Sequence, residues 1–249
     1  MTGTSARSFA VRLSPLEETR FGVRAARADD VTAGDIDALL AFGRQHGVQL
    51  IIARVDVEEL RAAQLLEDAG FRLMDTLVYQ VRAVRERELP HDEPRGLIRP
   101  LRAGEEEAVR AVAAEAFQGY FGHYHADERL PAEAADATYI DWAVRSCTEP
   151  GVCDAVYAAD LDGEVVGFIT YRLLSPDDAE IVLGGVLRHA RRLGIYRSFL
   201  VHGMAWARER GAARVIVSTQ ITNVAVQKVW ARLGFEPTHA YYTFHGWLE

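Results

Sequence analysis

The stretch VLRHARRLGIYRSFL, residues 186–200, joins an apolar strand end, a run of basic residues and a glycine that opens an amphipathic helix. The first N–H groups of a helix have no partner within it and lie at the positive end of its macrodipole, so such a junction suits a pyrophosphate. Gly194 keeps the approach clear of a Cβ, and Arg188, Arg191, Arg192 and Arg197 supply local positive charge. Taken alone, these residues also read as a solvated basic helix start. What favours the ligand reading is the sequel: a strand-like run from Ala213 to Thr219, then Asn223, then a helical run from Val224 to Leu233 closed by Gly234-Phe235.

Upstream of this stretch, Leu97 to Leu101 reads as a short strand, Gly104 to Phe117 and Ala134 to Cys147 as helices. Asp154 to Ala159 and Glu164 to Leu174 form a hairpin turned by Asp162-Gly163. Ala179 to Leu187 is the strand that enters the basic loop, and Tyr241 to Trp247 closes the chain. The order β-α-α-β-β-β-α-β-α-β describes a mixed sheet flanked by helices. RERELPHDEPR, residues 85–95, is charged, has two prolines and no apolar period, and reads as a linker between residues 1–90 and 91–249. In the first part, Arg20 to Ala28, Val48 to Val55 and Arg72 to Val84 are strand-like, while Ala33 to His46 and Val57 to Ala69 are helical. RAAQLLEDAGF, ending at Phe71, echoes VAVQKVWARLGF, ending at Phe235; Glu59 stands where the second copy has Asn223, and no Gly-containing basic loop precedes it. The first part therefore reads as a degenerate copy that serves for sheet extension and substrate walls and does not hold a nucleotide cofactor.

The 249 residues, 49% hydrophobic and 26% charged, describe an ordinary globular chain able to bury a core without staples. A net charge of -8 argues against nucleic acid as a partner. No apolar run nears the roughly 20 residues that cross a bilayer, and MTGTSARSF lacks a signal peptide's apolar stretch, so a cytoplasmic location is expected. Cys147 and Cys153 read as buried thiols, and no metal site is expected.

The Arg191, Gly194 and Tyr196 spacing, Asn223 after the next strand, and the helix ending Leu-Gly-Phe resemble the GNAT superfamily of N-acetyltransferases, from Leu97 to Glu249. The resemblance implies a GNAT fold of the α/β (α+β) type, with acetyl-CoA as acyl donor. It places the cofactor against Val186, Leu187, Arg191, Arg192, Gly194, Ile195, Tyr196, Asn223 and Trp230. Tyr196 departs from the small residue of the pattern, and Trp230 stands where the family carries a Tyr that protonates the leaving thiolate. Since an indole N–H donates a hydrogen bond but not a proton, the acid is water or another residue: Tyr196, Tyr241 or Tyr242.

Glu180, His123 and His125 are the candidate bases for the amine. Between Phe121 and Ser146 the chain is unusually aromatic; Tyr120, Tyr124, Asp127, Tyr139 and Trp142 offer stacking faces and polar groups for a sugar or a base. The whole chain also resembles acetyltransferases of dTDP-linked 4-amino sugars, through an N-terminal Phe-Gly strand at Phe21-Gly22 in the segment beginning at Arg20, Gly70-Phe71, Tyr139 and Trp142, and Thr219 to Asn223. That implies a small-molecule amine, a nucleotide-linked amino sugar, as substrate. Other small amines, antibiotics or a protein N-terminus, a non-catalytic acyl-CoA module, and a homodimer stay open.

Overall fold

The computed structural model describes residues 9–93 and 95–248. The first eight residues, read above for leader character, lie outside them, as do Pro94 of the linker and Glu249. The first part of the chain forms β1 (Ala10–Leu13), α1 (Pro15–Phe21), β2 (Ala25–Asp29), α2 (Ile36–Gln45), β3 (Leu50–Asp56), α3 (Leu60–Asp68) and β4 (Arg72–Ala83). After the linker come β5 (Leu97–Pro100), α4 (Glu106–Ala116), α5 (Ala132–Thr148), β6 (Ala155–Leu161), β7 (Glu164–Leu173) and β8 (Asp178–Val186). The chain closes with α6 (Ile195–Glu209), β9 (Arg214–Gln220), α7 (Val224–Arg232) and β10 (Glu236–Trp247).

All ten strands join one sheet in the order β1-β2-β3-β10-β4-β9-β8-β7-β6-β5. The final strand does not stay with its own half: β10 lies between β3 and β4, and β4 lies between β10 and β9. Each half thus lends its last strand to the other. In the rest of the two halves, β2 and β3 are a parallel pair joined through α2, as β8 and β9 are through α6. Gly-Phe closes both α3 and α7, with Gly70 at φ 84° and Gly234 at φ 76°.

Apolar faces set the layers. Leu39 of α2 and Leu66 of α3 bury against Ile51, Ala53 and Phe244, while Phe199 and Met204 of α6 and Trp230 of α7 bury against Ile169, Ile181, Val215 and Val217. On the opposite face Val109 and Val112 of α4 and Ala143 of α5 cover Phe168 and Leu183, and Phe21 of α1 with Ala135 of α5 covers Leu50 and Ile52. Each fully buried Leu, Ile or Phe contributes about 1.5–3 kcal/mol of transfer free energy.

Two element boundaries change. Arg20 and Phe21 belong to the last turn of α1, which Gly22 ends at φ 67°, so the strand begins only at Ala25. β1 and α1 are too short to show a period in sequence. The last strand starts at Glu236 rather than Tyr241, because it must span both β3 and β4.

Candidate active site

The site follows from a defect in the sheet. β8 and β9 pair in parallel only from Asp178↔Arg214 to Ile181↔Val217, yet β8 runs on to Val186 and β9 to Gln220. The divergence begins at an irregularity in the β7–β8 ladder: Ile169 pairs with Gly184 but Tyr171 with Ile181, leaving one extra residue on β8. A bulge bends its strand, and this one turns β8 away from β9. Thr170 holds it in place, its Oγ1 accepting from Leu183 N at 3.1 Å and donating to Leu183 O at 3.3 Å. Neither Thr170 nor the bulge is visible in the alternation of β8 alone. Gly185 lets α4 ride on the diverging segment, since a Cβ there would lie 2.7 Å from Ala116 Cβ.

β8 leads into a 3-10 turn at Arg188–Ala190, and Arg192 (φ 65°) and Gly194 (φ 84°) both adopt left-handed backbone before α6 begins. No side chain caps α6; the first amide paired back into the helix is Ser198 N, to Gly194 O at 3.0 Å. A Cβ on Gly194 would meet nothing within 4 Å. Val186, Arg191, Arg192, Gly194, Ile195 and Tyr196 line one pocket of ≈ 190 Å³ with Ala190, Arg197 and Val229. Leu187 packs beneath this loop.

Not all the expected charge is free at the pocket. Arg197 is tied to the linker, where Asp92 Oδ1 and His91 O accept from its guanidinium. Arg188 is engaged by Gln118, and its amide by Glu115. Arg191 folds toward Val186 O at 3.3 Å and Arg192 is exposed, so these two supply the cationic groups.

Asn223 is the N-cap of α7: its carbonyl accepts from Val226 N and its amide donates to Thr219 Oγ1 at 3.0 Å. Trp230 is 2% exposed and donates through Nε1 to the Tyr196 hydroxyl at 3.0 Å. Burial pushes that hydroxyl well above the usual phenol range despite the indole N–H. Of the other two tyrosines considered, Tyr241 donates to Asp30 at 2.7 Å, and Tyr242 packs against the α2–α3 core on the far face. Neither faces the gap.

The aromatic connection divides into two groups. Tyr120 donates to Gln220, at the end of β9; burial pushes its hydroxyl up to about 12. Tyr139 meets Tyr120 edge-on and stacks on Phe117, and Trp142 packs in the same cluster. Tyr120 and Tyr139 meet Gln220 at the end of β9 and so stand beside the gap. Tyr124 and Asp127 do not: the structure makes them interior links between loop and first half. Tyr124 is 3% exposed and donates to Glu17 at 2.7 Å, while Asp127 is 5% exposed and accepts from His245 and Trp247 at 2.7 and 2.9 Å. Burial alone would raise the Glu17 carboxyl; the Arg27 hydrogen bond and charge, with Tyr124, outweigh it and hold it below the usual range.

His125 is also corrected. Its Nδ1 accepts from Gly122 N and its Nε2 meets Asp136 at 3.0 Å, so neither ring nitrogen is left for a proton from substrate. His123 is different: its Nδ1 lies 2.9 Å from His245 Nε2, and His245 Nδ1 lies 2.7 Å from Asp127. With the His245 Nδ1–H given to Asp127, its Nε2 accepts from His123, whose own Nε2 stays an acceptor. Burial, helped by His245, Arg27 and Arg54, holds His123 well below its usual pKa and therefore neutral. Glu180 lies where β8 and β9 are still paired and accepts from Arg172 at 2.6 Å.

The first half has no matching gap between its parallel strands. β2 and β3 stay paired from Ala25↔Leu50 to Ala28↔Ala53, and Val31 N then bonds Arg54 O at 3.1 Å. Thr32 and Asp35 cap each other at the turn before α2. A larger cavity of ≈ 350 Å³ lies elsewhere, at Arg102, Glu106, Cys147 and Cys153; burial pushes the Cys147 thiol up to about 11, which leaves it protonated. Among the described residues no three His, Cys, Asp or Glu side chains are grouped to hold a metal, and no helix is long and apolar enough to cross a membrane.

A parallel pair that opens toward an uncapped, glycine-led helix is the arrangement of an acyltransferase that takes a thioester between its strands. The profile of the acetyltransferase (GNAT) family matches residues 108–235, just over half of the chain, and the chain belongs to that family, whose members use acetyl-CoA as acyl donor. No curated protein matches significantly. The fold is similar to a GCN5-related N-acetyltransferase from Sphaerobacter thermophilus (TM-score 0.64, 17% identity, 95% of this chain and 76% of that one). It is similar to a tandem GNAT protein from the clavulanic acid biosynthesis pathway (TM-score 0.64, 17% identity, 98% and 80%). A third similar structure is the glucosamine N-acetyltransferase region of a fungal multi-domain β-N-acetylglucosaminidase (TM-score 0.62, 13% identity, 96% and 31%).

Proposed function

We propose that the chain transfers the acetyl group of acetyl-CoA to the primary amine of a small molecule, with the amino group of a nucleotide-linked amino sugar as the favoured acceptor. The observation that carries the reading is the β8–β9 gap ending at the uncapped start of α6. Acetyl-CoA supplies the activated acetyl thioester. The amides of Ile195 and Tyr196, with Arg191 and Arg192, hold its diphosphate, and the backbone of Val186 and Leu187 lies along the pantetheine arm as an added strand would. Asn223 keeps one amide proton beyond the Thr219 bond for that arm.

An alkylammonium near pKa 10 costs about 1.4 kcal/mol per unit to neutralise at lower pH, so a base is useful. His123, neutral and backed by His245 and Asp127, is favoured over Glu180, which Arg172 engages. As the carbon–nitrogen bond forms and the carbon–sulfur bond breaks, the amine proton passes to the base. The Tyr196 hydroxyl accepts from Trp230 and keeps its own proton to quench the thiolate. Support for the amino sugar comes from the likeness to dTDP-fucosamine acetyltransferase at Gly70-Phe71, Tyr139, Trp142 and Thr219 to Asn223, and from the glucosamine acetyltransferase region among the fold's neighbours.

The test incubates the chain with acetyl-CoA and panels of dTDP-amino sugars, simple amines, antibiotics and N-terminal peptides, reading free thiol. Trp230 in place of the family's tyrosine favours one second reading, an acyl-CoA-binding module without turnover. Acetyl-CoA uptake with no thiol release for any amine would select it.

A further inference from the structure

Arg54 of β3 and Asp75 of β4 flank β10 at one level, each in register with Thr243. Residues opposite one another in a sheet project from the same face, and two strand spacings put their backbones about 10 Å apart. That face is the one under α5 and the aromatic loop: the Arg54 charge bears on His123 and Tyr79, and the Asp75 charge on Tyr120 and Tyr139. Asp75 stands at the mouth of the gap, because the next residue, Thr76, accepts from Ile221 N at 2.8 Å just past the end of β9.

Both side chains are half-buried, with Arg54 Nε and Asp75 Oδ1 closed off, and among the described residues neither side chain has a hydrogen-bond or ion-pair partner. Their neighbours on this face are matched: Arg27 with Glu17, Arg172 with Glu180, Asp30 with Tyr241. An unmatched cation and an unmatched anion with closed-off polar atoms weaken a fold unless a ligand completes them.

We propose that Arg54 and Asp75 are the acceptor-specificity pair: Asp75 receives the amino end of the acceptor beside the gap, and Arg54 an anionic group carried on the same molecule several bonds away. The acceptor class is then an amine bearing a carboxylate or a phosphate. This rests on the transferase reading above and deepens it. A planar guanidinium binds either anion through paired N–H groups.

The experiment uses the full chain with acetyl-CoA and amines matched except for the anion: lysine against 1,5-diaminopentane, and glucosamine 6-phosphate against glucosamine, with a dTDP-linked 4-amino sugar as a diphosphate arm. The expected result is at least a tenfold higher kcat/KM for an anionic member over its neutral match. The arm with the largest preference identifies carboxylate or phosphate. Arg54→Gln should erase the preference by raising acceptor KM, and Asp75→Asn should raise it for both members of a pair, with acetyl-CoA KM unmoved. Neither change should lower Tm, since neither breaks a bond within the chain. Equal use of the neutral amines, a preference that survives Arg54→Gln, a fall in Tm, or no turnover of any amine while calorimetry shows acetyl-CoA bound would each overturn the pair. Absent acetyl-CoA binding would instead overturn the transferase reading.

Discussion

At the scale of the residue, Gly194 is the position where sequence and structure agree most directly. Its φ of 84° costs a β-branched residue about 1–2 kcal/mol or more, and the space around its missing Cβ is filled by no protein atom. Gly194→Val should therefore raise acetyl-CoA KM at least tenfold, by our estimate from steric exclusion at a phosphate nest, with a smaller change in kcat. Steady-state kinetics checks this, and an unmoved KM would take the loop out of cofactor binding. Tyr196 gives a second test. Removing its hydroxyl leaves the buried Trp230 N–H without an acceptor, at about 1–3 kcal/mol of stability, and removes the proposed acid. Tyr196→Phe should lower kcat by about 100-fold with acetyl-CoA KM little changed, the scale general acids supply. Trp230→Phe, which spares the hydroxyl, should lower kcat far less. The arginines show where single-sequence reading stops. Four basic residues around Gly194 look equivalent in sequence, but Asp92 claims Arg197 and Gln118 claims Arg188, and neither partner is near them in the chain.

At the scale of the element, the gap depends on a bulge that no period reveals, because an extra residue exists only relative to the strand opposite. The sequence pattern marked β8 as a strand; what opens it is Thr170 on β7. Thr170→Val keeps the shape but strands Leu183 N–H, which should cost about 1–3 kcal/mol and loosen acetyl-CoA binding together. Urea unfolding and calorimetry read the two effects, and a stability loss with unchanged binding would separate the bulge from the gap. The loop from Phe121 to Leu130 shows the opposite limit. Its aromatic and histidine content invites a ligand reading, yet Glu17, Arg27, His245 and Trp247, more than 90 residues away, claim Tyr124 and Asp127. His123 then ties stability to pH. Its folded pKa is depressed below the free value of 6.5, so below that pH the unfolded chain takes up a proton that the folded chain refuses. The urea midpoint should fall as pH drops below about 6.5, with Glu17 and Asp127, whose carboxyls are held low, adding loss only at more acid pH. His123→Gln should start less stable but lose less between pH 7 and 5.5; an equal slope would mean another group is titrating.

At the scale of the molecule, the exchange of β4 and β10 ties the two halves into one folding unit. The helix–Gly-Phe–strand unit in each half was legible, since it is local in sequence. The exchange was not legible, because strand patterns fix which face is buried and not which neighbour pairs. Without residues 1–90, β10 loses β3 along Tyr241↔Asp56 to Trp247↔Leu50 and β4 along Glu236↔Val81 to His245↔Arg72, and β9 loses β4 along Leu77↔Gln220 to Ala83↔Arg214. The bared edges would be long, and unprotected edges recruit other chains. Residues 91–249 expressed alone should therefore aggregate or pair between copies. Co-expressed with residues 1–90, they should give a complex that elutes with the intact chain and binds acetyl-CoA, because the strand pairings and the Arg85 and Arg87 bonds to Asp177, Gly211 and Glu236 can form between the two pieces, while the Arg197 and Ser198 contacts of His91 and Asp92 stay within residues 91–249. A monomeric, cooperatively unfolding 91–249 fragment in size-exclusion and melting experiments would show that β10 folds back without β3 and β4, and that the exchange is not what holds the gap open.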